Sequence, residues 1–167
     1  MRVFSFMSLL LIIASGCKVN YTFTGADIPA EAKTVSIGYF DATAPMASPQ
    51  VSLQFTNDIT AMLLTQTSLD VVDNMGDLMF EGTIVGYKIT PAAVQSDTES
   101  AAKNRLTMRV KVKYTNTIDP EKSFEKEFSQ FADFAADENL YDVEEDLIEL
   151  IDETLVQDIF NASLGSW

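Results

Sequence analysis

Hydrophobic positions along this chain recur with two periods, and the switches between them mark the elements. Thr34 to Phe40 sets Val35, Ile37 and Tyr39 against Ser36 and Gly38, the alternation of a half-buried strand. A loop with Pro45 and Pro49 follows. Ser48 then reads as an N-cap, with Pro49 at the first helical position, where its missing N–H is no loss. Val51, Phe55, Ile59, Met62 and Leu63 recur at helical spacing, which predicts an amphipathic helix of about four turns closed by Thr67 and Ser68. Leu69 to Val72 is a short strand, and Asn74, Met75 and Gly76 turn the chain.

From Leu78 the pattern becomes a meander. Leu78 to Thr90 is strand-like, with Gly82 and Gly86 marking bends or close backbone approach. Pro91 to Lys103 is a polar, small-residue loop, long for a hairpin and therefore a candidate mobile or functional segment. Arg105 to Thr115 is the clearest strand. Leu106, Met108, Val110, Val112 and Tyr114 face one way, and Arg105, Thr107, Arg109, Lys111 and Lys113 face the other. Asp119-Pro120 turns it, and Ser123 to Phe134 returns. Pairing Val110 with Phe128 and Tyr114 with Phe124 sets Lys111 opposite Glu127 and Lys113 opposite Glu125, a charge match that helps set register. The odd phase of Phe131 predicts a bulge near the end of that strand.

Asp137 to Phe160 is the second helix. Leu140, Val143, Leu147, Ile148, Leu150, Ile151, Leu155 and Ile159 cover about half its circumference. Between Asp137 and Asp158 stand ten acids and no base, and Asp142, Glu145, Asp146, Glu149, Asp152 and Glu153 are read as the opposite, solvent-facing side. The order is strand, helix, short strand, three-strand meander, helix. It predicts an α+β fold: a single-layer, four-stranded mixed sheet with two helices packed on one face (β-α-β-β-β-α).

The N-terminal stretch has another logic. Arg2 precedes an apolar run from Val3 to Ile13, about half the ~20 residues that span a membrane. Small residues follow, the layout of a secretory signal peptide. Ala14-Ser15-Gly16-Cys17 looks like a bacterial lipobox, with Ala14 where such motifs usually carry Leu. Lipoproteins of this type are cut before the cysteine, which then carries acyl chains such as palmitate. The expected organisation is a signal peptide at 1–16, a lipid-anchored arm at 17–29 and one α+β domain at 30–167. Val19, Tyr21 and Phe23 alternate in the arm, which reads as partly ordered because simple tethers are seldom aromatic.

Charge narrows the function. The net charge is −14, and removal of Arg2 with the signal makes it −15. Nucleic acid is therefore a poor partner, since counterion release needs a basic surface. An anionic bilayer repels such a chain, so attachment falls to acyl chains, at about 0.8 kcal/mol per buried methylene. The absence of histidine removes the usual general base and metal ligand and every Ser-His or Cys-His triad. The single cysteine, Cys17, is taken by acylation, which leaves no disulfide, zinc cluster or thiol nucleophile. No enzyme, metal or cofactor is predicted, and carboxylate-only catalysis lacks any spacing that proposes it.

The sharpest electrostatic feature is the basic row Arg105, Arg109, Lys111 and Lys113. It is the candidate site for phosphate or carboxylate groups of a ligand such as a glycolipid. The simpler account is a solvated sheet face neutralised by Glu125 and Glu127. Asp70, Asp73, Asn74 and Asp77 near Gly76 hint at calcium but lack the EF-hand spacing and its terminal glutamate. Phe128, Phe131 and Phe134 read as core and sheet-end packing rather than a lipid pocket.

Several segments resemble the LptE family of LPS-assembly lipoproteins. They are Phe23-Thr24-Gly25-Ala26 with Ile28-Pro29, Gln66-Thr67-Ser68-Leu69, Gly76-Asp77-Leu78-Met79-Phe80-Glu81-Gly82, Asn104-Arg105-Leu106-Thr107, and the tail from Asp158-Ile159-Phe160-Asn161 through Trp167. The resemblance implies an outer-membrane lipoprotein of a Gram-negative cell that faces the periplasm. It would plug the β-barrel of the translocon, LptD, and help deliver lipopolysaccharide to the outer leaflet. It also implies a sheet with two helices on one side, and basic residues that contact lipopolysaccharide. Placing those contacts at Arg105, Arg109, Lys111 and Lys113 comes from the charge pattern of this chain. Lys18 is not the aspartate that favours inner-membrane retention in enteric bacteria. The alternative is a barrel-independent lipid-binding or carrier lipoprotein, which needs an apolar cavity between helices and sheet.

Overall fold

The two longest strands, Leu78–Ala92 and Lys103–Asn116, pair as one antiparallel hairpin, and the rest of the sheet extends from its two edges. In this computed structural model residues 28–92 and 102–165 are described. The signal segment, Cys17, most of the arm and the middle of the Pro91 to Lys103 connection lie outside them. The elements are β1 (Thr34–Ile37), β2 (Asp41–Ala42), α1 (Pro49–Gln66), β3 (Asp70–Val71), β4 (Leu78–Ala92), β5 (Lys103–Asn116), β6 (Phe124–Ala135) and α2 (Leu140–Leu164).

The α+β class and the placement of both helices follow the alternation, but among the described residues the sheet has six strands rather than four. Its order is β3-β1-β4-β5-β6, with β2 pairing β4 beyond the end of β1. β1, β2 and β3 join in parallel, while β4, β5 and β6 form an antiparallel meander. The short strand expected at Leu69 to Val72 is present as β3 and joins the sheet, while β2 is two residues long, too short for alternation to register. β4 and β5 also extend to Ala92 and Lys103, into what reads as loop in the sequence.

The expected β5–β6 register is the observed one, with Val110 opposite Phe128, Tyr114 opposite Phe124, Lys111 opposite Glu127 and Lys113 opposite Glu125. The bulge, however, lies on β4 between Ile84 and Gly86, and β6 is regular through Phe131. Phe131 is out of phase because it belongs to the outer face, where it is 51% exposed. Gly82 lies on the inner face beneath the Phe40 ring. A Cβ there would stand 2.3 Å from a Phe40 ring carbon, so this glycine is a close approach rather than a bend.

Ser48 precedes α1 without a side-chain cap bond, and Pro49 opens the helix. Thr67 ends it, its N–H and Oγ1 both donating to the Leu63 carbonyl, at 3.1 Å and 2.6 Å. α2 begins later than expected because Asn139 caps it, its Oδ1 accepting from Tyr141 N at 3.2 Å. The core forms where Phe55, Ile59 and Leu63 of α1 and Ile151, Leu155 and Ile159 of α2 meet Ile84, Met108 and Val110 of the sheet. Leu150, placed on the apolar stripe by its spacing, instead faces solvent.

Candidate ligand-binding face

The four bases singled out in the sequence share the outer face of β5, as period-two alternation requires, and each has a carboxylate partner. Arg105 donates to both oxygens of Asp133 on β6, at 2.6 Å and 2.9 Å. Arg109 reaches Glu127 at 2.8 Å, Lys111 pairs with Glu125, and Lys113 turns the other way to Glu81 on β4 at 3.0 Å. Lys111 and Lys113 therefore do not bond the residues directly opposite them on β6. The sheet twists, and long side chains reach the diagonal neighbour as readily as the direct one. Arg105 keeps its direct partner Asp133, whereas Arg109 and Lys111 take the diagonal partners Glu127 and Glu125, which leaves Lys113 for Glu81, its direct neighbour on β4.

The pairing is electrostatically real yet solvent-exposed. Hydrogen bonding to Asp133 raises the Arg105 pKa, and the same contact holds Asp133 below the usual carboxylate range. Hydrogen bonding likewise raises Lys111 and lowers Glu125. The Lys111 and Lys113 side chains keep 53% and 57% of their surface open to solvent, so their spare N–H donors stay accessible. Exposed pairs of this kind exchange partners at small cost. Between these strands, Glu81, Thr83, Lys111, Lys113 and Glu125 surround a shallow hollow of about 300 Å³.

Two further features shape this face. The Arg105 guanidinium lies over the Phe131 ring, 3.6 Å from its centroid, forming a flat platform fixed by Asp133. At Gly86 the missing side chain leaves room for Arg109, whose Nε would stand 2.5 Å from a Cβ there. Neither is visible in alternation alone. Of the three phenylalanines, Phe128 and Phe134 are buried in the core, as packing predicts, and Phe131 is not.

Asp77 has a structural task. Its Oδ2 accepts from Lys33 N, Thr34 N and Thr34 Oγ1 at 2.8, 3.0 and 2.9 Å, pinning β1 beside the start of β4. These donors hold its carboxyl below the ordinary aspartate value. Among the described residues no group of three acidic side chains is arranged to hold a metal ion.

The acidic helix departs from its sequence reading at one position. Asp152, read as solvent-facing, is fully buried at 0% exposure, and both its oxygens lack a donor. The signal was present: Ile148, Asp152, Leu155 and Ile159 are spaced by four, three and four residues on one helical stripe. Tyr87 of β4 also reaches this layer, its hydroxyl donating to Glu144 at 2.5 Å. Burial and that carboxylate raise the phenol pKa. Gln130 of β6 donates to Asp158 at 2.6 Å, a second polar tie between sheet and α2.

Known proteins place this architecture. A hypothetical protein of Chlamydia trachomatis shares the fold, with a TM-score of 0.55 at 10% identity over 79% of this chain and 98% of its own. An uncharacterized lipoprotein B of Nitrosomonas europaea is similar at a TM-score of 0.48, with 18% identity over 87% of this chain and 88% of that one. The rare lipoprotein B of Shewanella oneidensis gives a TM-score of 0.44, with 10% identity over 78% and 90%. No curated protein matches the sequence. Residues 32–163 match the LptE family, described as lipopolysaccharide-assembly, and span β1 to the last turn of α2. This chain belongs to the LptE family of lipopolysaccharide-assembly proteins.

Proposed function

We propose that this protein is a non-enzymatic outer-membrane lipoprotein that plugs and assists assembly of an LptD-type β-barrel and helps deliver lipopolysaccharide to the outer leaflet. The observation that carries the reading is the family match across residues 32–163. Acyl chains on Cys17 anchor the protein to the outer membrane, so that it faces the periplasm and the barrel lumen. Among the described residues no helix is long and apolar enough to cross a membrane, which is consistent with attachment through the modified cysteine. Anchoring raises the effective concentration of the domain beside the barrel.

In this reading the outer sheet face meets lipopolysaccharide phosphates. Arg105, Arg109, Lys111 and Lys113 are the phosphate-contacting groups, with Lys111 and Lys113 the more available because they are more than half exposed. A phosphate oxygen entering the hollow at Glu81 and Glu125 takes over ammonium donors from these carboxylates, an exchange between partners of like charge. A barrel-independent carrier would need a void between helices and sheet. The positions that would line it, among them Phe55, Leu63, Met108 and Leu155, are at most 1% exposed and belong to one core cluster.

The test is purification of a tagged full chain from crosslinked outer membranes. Co-recovery of the barrel and of lipopolysaccharide is expected. The double variant Lys111→Ala/Lys113→Ala is expected to keep the barrel and lose most of the lipopolysaccharide crosslink. Recovery of the domain alone, with lipopolysaccharide transport intact after depletion, overturns the function. An undiminished crosslink in the double variant overturns the site.

A further inference from the structure

The two helices run in the same direction across the sheet. The first half of α1 faces the first half of α2 around Val51 and Ile148, and the second halves meet around Met62 and Val156. Midway along this seam the Asp152 carboxyl of α2 is in side-chain contact with the Asp58 carboxyl of α1. Two ionised carboxylates have no hydrogen between them, which is why the Asp152 oxygens have no donor. Such a pair is tolerated away from water only when a proton is added, making one member the donor and the other the acceptor.

We propose that Asp58 and Asp152 hold one proton between them as a latch across the helix pair, and that loss of this proton loosens the helix layer while the sheet stays intact. Among the described residues nothing packed around the pair offers a compensating positive charge. Neither helix carries a Lys or Arg. From α2, Glu149 and Glu153 flank the pair on the solvent side, and from β4 Tyr87 comes up with its hydroxyl committed to Glu144. β5 presents Leu106, Met108 and Val110, and β6 presents Phe128, Gln130 and Ala132. The one base among the inward positions of β4, β5 and β6 is Lys126, whose ammonium stands over the Phe128 ring. Asp58 itself lines a groove of about 440 Å³ with Met62, Glu149, Glu153 and Val156, so the shared proton has an exchange path to solvent.

The direction of titration agrees. Burial first, and then the Asp58 charge, push Asp152 up to about 8 from the usual 3.8, and burial raises Asp58 as well. In the unfolded chain both ionise near the ordinary aspartate value. Between that value and about 8 the folded protein therefore holds a proton that the unfolded chain has lost, and stability falls as pH rises through this window.

The experiment compares the full chain with Asp152→Asn and Asp58→Asn. The wild-type melting temperature is expected to fall by about 5 °C or more between about pH 5 and pH 8. The Asp152→Asn profile stays level there, since its amide donates to Asp58 without titrating. Above the latch pKa, amides of α1 and α2 exchange faster in wild type than in Asp152→Asn at the same pH, while those of β4 to β6 do not differ. Infrared spectroscopy supplies a readout that needs no variant to fold: a protonated-carboxyl C=O stretch in the wild type at neutral pH, lost on alkaline titration. Superimposable pH–stability profiles of wild type and Asp152→Asn overturn the proposal, as does a neutral-pH wild-type spectrum without that band.

Discussion

The outer sheet face and the helix layer are both rich in carboxylates, and they handle them in opposite ways. On the sheet every acid named sits beside a base: Asp133 with Arg105, Glu127 with Arg109, Glu125 with Lys111, Glu81 with Lys113. The helices carry no base at all, so α2 spreads its acids over an exposed surface and buries one, Asp152, against Asp58. The bases of the described domain are thus confined to the sheet and its flanking turns. A sheet face can be neutralised locally because strands 4.8 Å apart, as is typical, bring residues distant in sequence side by side. A helix of one charge sign can do so only with a proton or an outside partner. The difference separates a surface whose donors can be exchanged from one whose charge remains uncompensated.

The largest effect that sharpens this contrast is in the apolar support of the helix layer. Leu155 is 0% exposed between α2 and the sheet, and Leu155→Ala is expected to cost about 2–5 kcal/mol in urea unfolding. A loss below about 1 kcal/mol would show that the helix layer is loosely seated.

Acid titration tests the sheet side separately. Asp77, Asp133 and Glu125 have folded pKa values below their ordinary ones. Their contribution is present above the unfolded values and is lost as pH falls through the folded ones, below about pH 4. Asp77→Asn should therefore lower stability at neutral pH and flatten the acid limb of a urea-midpoint profile, leaving the alkaline side unchanged. A variant that altered the alkaline side instead would break the assignment of one limb to the sheet and the other to the helices.

The smallest effect is expected on the outer face. Lys113→Ala and Glu81→Ala, singly or together, should leave the melting temperature near the wild-type value, because the pair is more than half exposed. A marked coupling between them in a double-mutant cycle would mean that the ladder holds the sheet together rather than standing ready for exchange.

Much of this is legible in the sequence. Alternation placed Leu106, Met108, Val110, Val112 and Tyr114 inward, and the opposite charges at Lys111/Glu127 and Lys113/Glu125 gave the hairpin its true register. Both helices were visible from their stripes, and the one-sided α+β layout from the order of the elements. The actual ion pairs were not, because twist decides between direct and diagonal partners. The short strand at Leu69 to Val72 is legible and forms β3, but the two-residue β2 is created by its pairing with β4, and no local pattern announces it.

By itself, then, the sequence determined which residues face each other across the hairpin and which family the chain resembles, since both are written in short-range periodicity and wording. Tertiary structure alone decided that Phe131 lies beneath Arg105, and that Asp152, whose place on the apolar stripe the spacing does show, meets Asp58 of the other helix. A helix has no fixed inner side until something packs against it. Which carboxylate a buried one faces is therefore a property of the packing of two helices on a sheet, since residues so far apart in sequence share no local pattern.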